Sequence, residues 1–130
     1  MGAVSKEIAE AEIKKWLDVK KVRDTKRESY KEAISALVEA VCGGSLVLNE
    51  DNSLTHTLLF PVGADNAFKT LTYKSRLDVN TRMKYSEGVI GGEPRIVATI
   101  AALTGQGNLI IASMDTEDYG IASSVALFFL

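Results

Sequence analysis

The sequence predicts a single α+β domain: an N-terminal αα-hairpin, a three-stranded antiparallel β-meander, and C-terminal helices packed on the sheet. Three observations carry that expectation. Apolar residues recur at helical spacing over residues 6–44, the period shifts to two over 45–75, and a helical period returns over 78–130. At 130 residues there is room for one domain with a core that needs no staples, and no linker, repeat or low-complexity tract divides it.

The first helix is expected over residues 6–22. Ala9, Ile13, Trp16 and Leu17 make one apolar stripe, with Glu7, Glu10 and Glu12 early and Lys20 and Lys21 late, as the macrodipole favours. A second helix is expected over 25–41. Thr25-Lys26-Arg27-Glu28 reads as a capping box, in which the hydroxyl and the carboxylate each satisfy an orphan amide. Tyr30, Ile34, Leu37, Val38 and Val41 form its stripe, and Gly43-Gly44 supplies the left-handed residue that closes it.

Leu46 and Leu48 then alternate with Val47, and Asn49-Glu50-Asp51-Asn52-Ser53 reads as a polar turn. Leu54, His56, Leu58, Phe60 and Val62 are expected to share one face of a second strand, which Pro61 ends or marks as an edge. A third strand over 68–74 places Leu71 and Tyr73 together. Asp78 caps a short helix over 79–85, and Pro94 opens a helix that Gly105 ends. A short apolar segment over 109–112 leads to a last helix over 116–129.

Composition excludes several classes. A hydrophobic fraction of 46% with 25% charged residues is globular and leaves no case for disorder. The single cysteine, Cys42, forbids an intrachain disulfide. Together with an N-terminus lacking an apolar signal region, it points to a reducing compartment, the cytoplasm. Lys6 stands where N-myristoylation of a Met1-Gly2 start requires Ser or Thr, and no apolar run is long enough to span a bilayer.

No catalytic or metal-binding set emerges, so neither enzyme activity nor a cofactor is expected. Cys42 belongs to the end of a helix, where a thiolate is not favoured, and His56 belongs to an apolar strand face. One His and one Cys cannot complete a zinc site. The Asn49-x-Asp51-x-Ser53 run has Phe60 where a calcium loop needs its bidentate Glu. Gly88-Val89-Ile90-Gly91-Gly92 is followed by Glu93 and Pro94, which repel an anion and remove a donor amide, so it reads as a loop. Asp115, Glu117 and Asp118 read as cap and dipole residues of the last helix. Convergence of Tyr73, Arg76 and Glu93 would be needed for an enzyme, and nothing in the sequence argues for it.

Charge is distributed unevenly. Eight of the fifteen basic residues (Lys14, Lys15, Lys20, Lys21, Arg23, Lys26, Arg27 and Lys31) fall within residues 14–31, while 96–130 contains no Lys or Arg. That run is the alternative function: a nucleic-acid-associated α+β protein gripping phosphates through two helices. Interruption by Asp18, Asp24 and Glu28 and the low pI of about 5.4 weigh against nucleic acid and favour a solvated face. At the other end, Val125-Ala126-Leu127-Phe128-Phe129-Leu130 closes the chain with apolar residues. Such a segment either docks into the core or buries against a partner or second copy.

The second half resembles the phage tail assembly chaperones, small proteins encoded next to the tape measure protein. The resemblance covers residues 69–130. It rests on a strand-to-helix junction, Leu71-Thr72-Tyr73-Lys74-Ser75-Arg76-Leu77, a short helix from Asp78, and a helix ending Ile100-Ala101-Ala102-Leu103-Thr104-Gly105. An acid-capped last helix then runs from Met114-Asp115-Thr116-Glu117-Asp118-Tyr119 to Val125-Ala126-Leu127-Phe128-Phe129. Residues 6–66 are longer than the family's usual N-terminal portion. The resemblance implies a non-enzymatic protein of the bacterial host cytoplasm that keeps the tape measure protein, or another tail protein, soluble during tail assembly, with self-association into an oligomer. On that reading Ile110, Ile111, Tyr119, Phe128, Phe129 and Leu130 form the client or self-contact surface.

Overall fold

The computed structural model describes residues 3–130 as an α+β fold. The Met1-Gly2 step, on which the lipidation reading partly rests, lies outside the described residues.

Helix α1 (Lys6–Val19) starts where the Ser5 side chain accepts the Ile8 N–H at 3.2 Å, and it buries Ala9, Ile13, Trp16 and Leu17. It stops short of residue 22. The Lys21 N–H donates to the Asp18 carbonyl and the Val22 N–H to the Leu17 carbonyl, a Schellman closure that puts Lys21 at φ 59°.

The second predicted helix is two helices, α2 (Asp24–Ser29) and α3 (Lys31–Cys42), and the capping box is not formed. Arg23 is the extended residue before α2, so Thr25 lies inside the first turn, where its hydroxyl cannot cap. Tyr30 leaves helical geometry (φ −109°, ψ 29°), and its ring meets Phe128 edge-on with centroids 5.6 Å apart. A tertiary aromatic contact has overridden a local periodicity. Helix α3 ends as expected, with Gly44 at φ 84° and paired bonds from Gly44 to Val41 and from Ser45 to Ala40.

Strands β1 (Leu46–Leu48), β2 (Leu54–Val62) and β3 (Phe68–Tyr73) form an antiparallel sheet in the order β1-β2-β3. The register pairs Leu46 with His56 and His56 with Leu71, so one face collects Leu46, Leu54, His56, Leu58, Leu71 and Tyr73, all buried. Phe60 does not join that face. The β2–β3 register shifts between Thr57 and Val62, and the irregularity turns both Leu59 and Phe60 outward. Pro61 is tolerated inside β2 because the β1 pairing reaches only as far as His56, leaving an edge on that side.

Between β2 and β3, Gly63 adopts φ 89°, and a Cβ there would lie 2.6 Å from the Phe68 ring. Asp78 caps α4 (Val79–Ser86) by accepting the Thr81 N–H at 2.7 Å. Helix α5 (Gly92–Thr104) carries Pro94 in its first turn and ends on left-handed Gly105. Helix α6 (Asn108–Ala112) leads to α7 (Thr116–Ala126), whose cap, Asp115, accepts the Glu117 N–H at 2.9 Å. The last helix does not run through 129. It tightens into a 3-10 turn over Leu127–Phe129.

Helix α7 is the hub, touching α3, α5 and β2. The 3-10 turn after it sets Phe128 against Trp16 at 5.6 Å, edge-on, while Phe128 remains only 5% exposed. The apolar C-terminus therefore locks the helical hairpin to the rest of the domain, and each such aromatic pair contributes about 1 kcal/mol beyond its buried area. Among the described residues no helix is long and apolar enough to cross a membrane.

Candidate functional site

The surface expected at the C-terminal half is divided by burial. Ile111 (1% exposed) and Phe128 are core residues and cannot meet a client in this conformation. Ile110 is half-buried beside Gly63, Tyr119 and Phe129 are half-buried, and only Leu130 is exposed. The reason is Trp16: an N-terminal aromatic, remote in sequence, supplies the partner that covers Phe128 and stands 6.2 Å from Phe129.

The structure instead opens a groove between α1 and α3, with a volume of about 670 Å³. Half-buried Ile34 and Cys42 make its floor above the core residues Ile13, Leu17 and Val38, and Lys6, Glu10, Lys14 and Glu39 stand among its rim. The two helices bury their stripes toward the sheet and α7 while the seam between them stays open. Cys42, a half-buried free thiol in the last turn of α3, is part of this seam.

The basic run separates into two populations. Lys14 and Arg27 both bind Asp18, at 3.0 and 2.9 Å, and hold its carboxyl below the usual carboxylate range. Lys31 pairs with Glu28 at 3.4 Å, and Lys15 is exposed on α1. Lys20, Lys21, Arg23 and Lys26 gather at the α1–α2 corner. Lys20 packs its ammonium 3.4 Å from the centroid of the Phe129 ring. Burial, with Arg76 and Lys26 nearby, pulls its pKa down to about 8.

Asp118 is the residue that sequence reasoning misplaced. It is no surface cap. It is fully buried, and its two carboxylate oxygens accept the Leu59 and Phe60 N–H groups at 2.9 and 3.0 Å. It thereby satisfies the two amides that the β2 irregularity releases. Asp118 Oδ1 also stands 3.5 Å from His56 Nε2, an electrostatic contact that does not close a hydrogen bond. On its other side, His56 Nδ1 meets the Tyr73 hydroxyl at 2.7 Å. An acceptor-only carboxylate favours the tautomer with hydrogen on Nε2, so Nδ1 accepts from the tyrosine. Burial, outweighing the pull of Asp118, holds the His56 pKa below its ordinary value, and burial pushes that of Tyr73 up.

This Asp–His–Tyr line has the chemical order of a proton relay, yet all three side chains are sealed from solvent. Neither the groove nor the α1–α2 corner is lined by any of them. The line ties β2 to β3 through Tyr73 and β2 to α7 through Asp118.

Tyr73, Arg76 and Glu93 do not converge. Tyr73 faces His56, the charge of Arg76 acts on Lys20, and Glu93 stands beside the Tyr119 hydroxyl without closing a hydrogen bond. Burial first, and that carboxylate second, push Tyr119 up to about 12. Among the described residues no group of three or more His, Cys, Asp or Glu side chains is placed to hold a metal ion. One signal could have located the buried acid: Asp118 lies one helical turn before Ala122 on a buried face. In comparisons with known proteins, no family model, curated protein or solved structure matches the chain.

Proposed function

We propose that the protein is a non-enzymatic protein-binding domain of the tail assembly chaperone type, which keeps a helical segment of a tape measure protein, or of another tail protein, soluble. The α1–α3 groove is the observation that carries this reading. Half-buried Ile34 and Cys42, above the buried Ile13, Leu17 and Val38 and beside the alkyl stems of Lys6 and Lys14, suit an amphipathic helix laying its apolar face along the seam. Its rim offers both signs of charge, Lys6 and Lys14 against Glu10 and Glu39, which fixes the register of a client bearing both. Further apolar surface is held in reserve: Val79 and Met83, one turn apart on α4, are 62% and 60% exposed and suit self-association.

The test is co-expression with a tape measure fragment, co-purification and light scattering. The fragment is expected to stay soluble in a defined complex with the wild-type chain. Ile34→Glu, a half-buried floor position, is expected to lose the complex while circular dichroism stays unchanged. A fragment that remains insoluble beside the wild-type protein refutes the chaperone reading. Retention of the complex by folded Ile34→Glu moves the contact away from the groove.

A further inference from the structure

At the corner between α1 and α2, Lys20, Lys21, Arg23 and Lys26 line a shallow cavity of about 270 Å³ together with Thr25, over Val22 and Phe128. Among the described residues none of these cations has an ion-pair partner, because Asp18 is taken by Lys14 and Arg27 and Glu28 by Lys31. A fifth cation, Arg76 from the segment between β3 and α4, adds its charge to Lys20. We propose that this corner binds a compact phosphate-bearing anion, held by Lys21, Arg23 and Lys26 beside Thr25, with the nearby charges of Lys20 and Arg76 adding attraction.

Three features argue for a ligand over an accident of composition. Like charges gathered without an ion-pair partner repel, and the pKa of Lys20, lowered first by burial, is lowered further by Arg76 and Lys26. A bound dianion turns the same arrangement into mutual attraction. Lys21 occupies the left-handed position of a Schellman closure, which glycine fills without strain, so a lysine there is placed against the backbone's preference. Thr25, whose hydroxyl makes no capping bond, lines the cavity.

Compactness follows from what surrounds the cluster. Lys14 and Arg27 share Asp18, and Lys31 pairs with Glu28, so acids interrupt the positive charge along the helices where a polynucleotide backbone would need a continuous track. The cavity is a point and not a stripe. This inference is separate from the groove, whose lining includes none of the five cations.

The experiment titrates the full chain with pyrophosphate and with inorganic phosphate at fixed ionic strength, using calorimetry and amide chemical shifts, with chloride as reference. Saturable binding is expected, with shift changes centred on residues 20–26 and on Arg76. Binding is expected to weaken roughly tenfold or more in Lys26→Gln/Arg76→Gln, both solvent-accessible positions, and to stay unchanged in Lys14→Gln. Shift mapping on the wild-type chain decides the matter even if the double variant folds poorly. The proposal is overturned if the phosphates bind no better than chloride, if the double variant binds as tightly as wild type, or if the shifts map elsewhere. Binding of duplex DNA with a steep salt dependence, and no response to either phosphate, overturns it in favour of an extended interface.

Discussion

Removing the Asp118 carboxylate should be among the most costly single changes in this fold. Asp118 accepts two backbone amides from the irregular part of β2, at 2.9 and 3.0 Å, from a fully buried position on α7. Hydrogen bonds to an ionised group contribute roughly 1.5–3 kcal/mol each, so losing two in Asp118→Ala should cost roughly 3–6 kcal/mol. That is a large share of the roughly 5–15 kcal/mol that holds a domain of this kind together. With a urea dependence of about 1.5 kcal/mol per molar, the unfolding midpoint should fall by roughly 2–4 M. Trp16 fluorescence gives the midpoint, since the indole is 1% exposed and packs on Phe128. Asp118→Asn keeps one acceptor but turns an amide donor toward an N–H, so it should fall between Asp118→Ala and wild type. Hydrogen exchange provides the local readout: the Leu59 and Phe60 amides should lose protection ahead of the sheet centre. Asp115→Ala serves as the control for a change at the same helix end, and loss of its exposed cap should cost only about 1 kcal/mol. A midpoint within about 0.5 M of wild type in Asp118→Ala, with Leu59 and Phe60 still protected, would refute the clamp.

Three further outcomes follow from named residues. His56 has a folded pKa below its unfolded value, so the unfolded chain takes up a proton first as pH falls; stability should therefore decline from about pH 7 downward through the ordinary histidine value near 6.5, and urea midpoints between pH 7.5 and 5.5 should show a slope that flattens in His56→Gln. Lys21→Gly should raise stability by roughly 0.5–1 kcal/mol, because glycine adopts φ 59° freely; a lower melting temperature in that variant would mean that the lysine side chain, not the backbone, governs the closure. Gly63→Ala should cost roughly 1–3 kcal/mol, since φ 89° is unfavourable for alanine and its Cβ would meet Phe68 at 2.6 Å; a thermal midpoint equal to wild type would show that the turn relaxes.

The elements that local chemistry specifies were legible in the sequence. Asp78 and Asp115 cap the helices they precede, Gly44 and Gly105 close the helices they follow, and the period-two segments pair in the expected meander. What was not legible depends on contacts distant along the chain. Thr25-Lys26-Arg27-Glu28 has the pattern of a capping box, but Tyr30 turns onto Phe128 and the helix starts earlier and breaks. Phe60 has the right parity for the core face, but the shifted register after Thr57 reverses it. Asp118 sits among acids that suit a helix N-terminus, and only the fold brings β2 amides to it. The groove was invisible for a related reason. Periodicity says that a stripe exists on each helix, not how much of it the neighbouring elements cover.

The same contact that hides the C-terminal aromatics decides where binding surface remains. Phe128 is enclosed by Trp16 from α1 and by Tyr30 from the α2–α3 break, and Lys20 covers Phe129, so the C-terminal segment consumes apolar and cationic groups of the hairpin. A client that competed for Phe128 would have to displace Trp16 as well, and with it the docking of α1. Opening that contact forfeits the edge-on packing and the burial of two large rings, a penalty any such client would have to repay. A client seated in the α1–α3 groove faces no such penalty, because Ile34 and Cys42 are already accessible before it arrives. Preorganisation therefore favours the α1–α3 face over the C-terminus as the surface open to a partner, because the 3-10 turn holds α1 through Trp16 while α7 packs on α3.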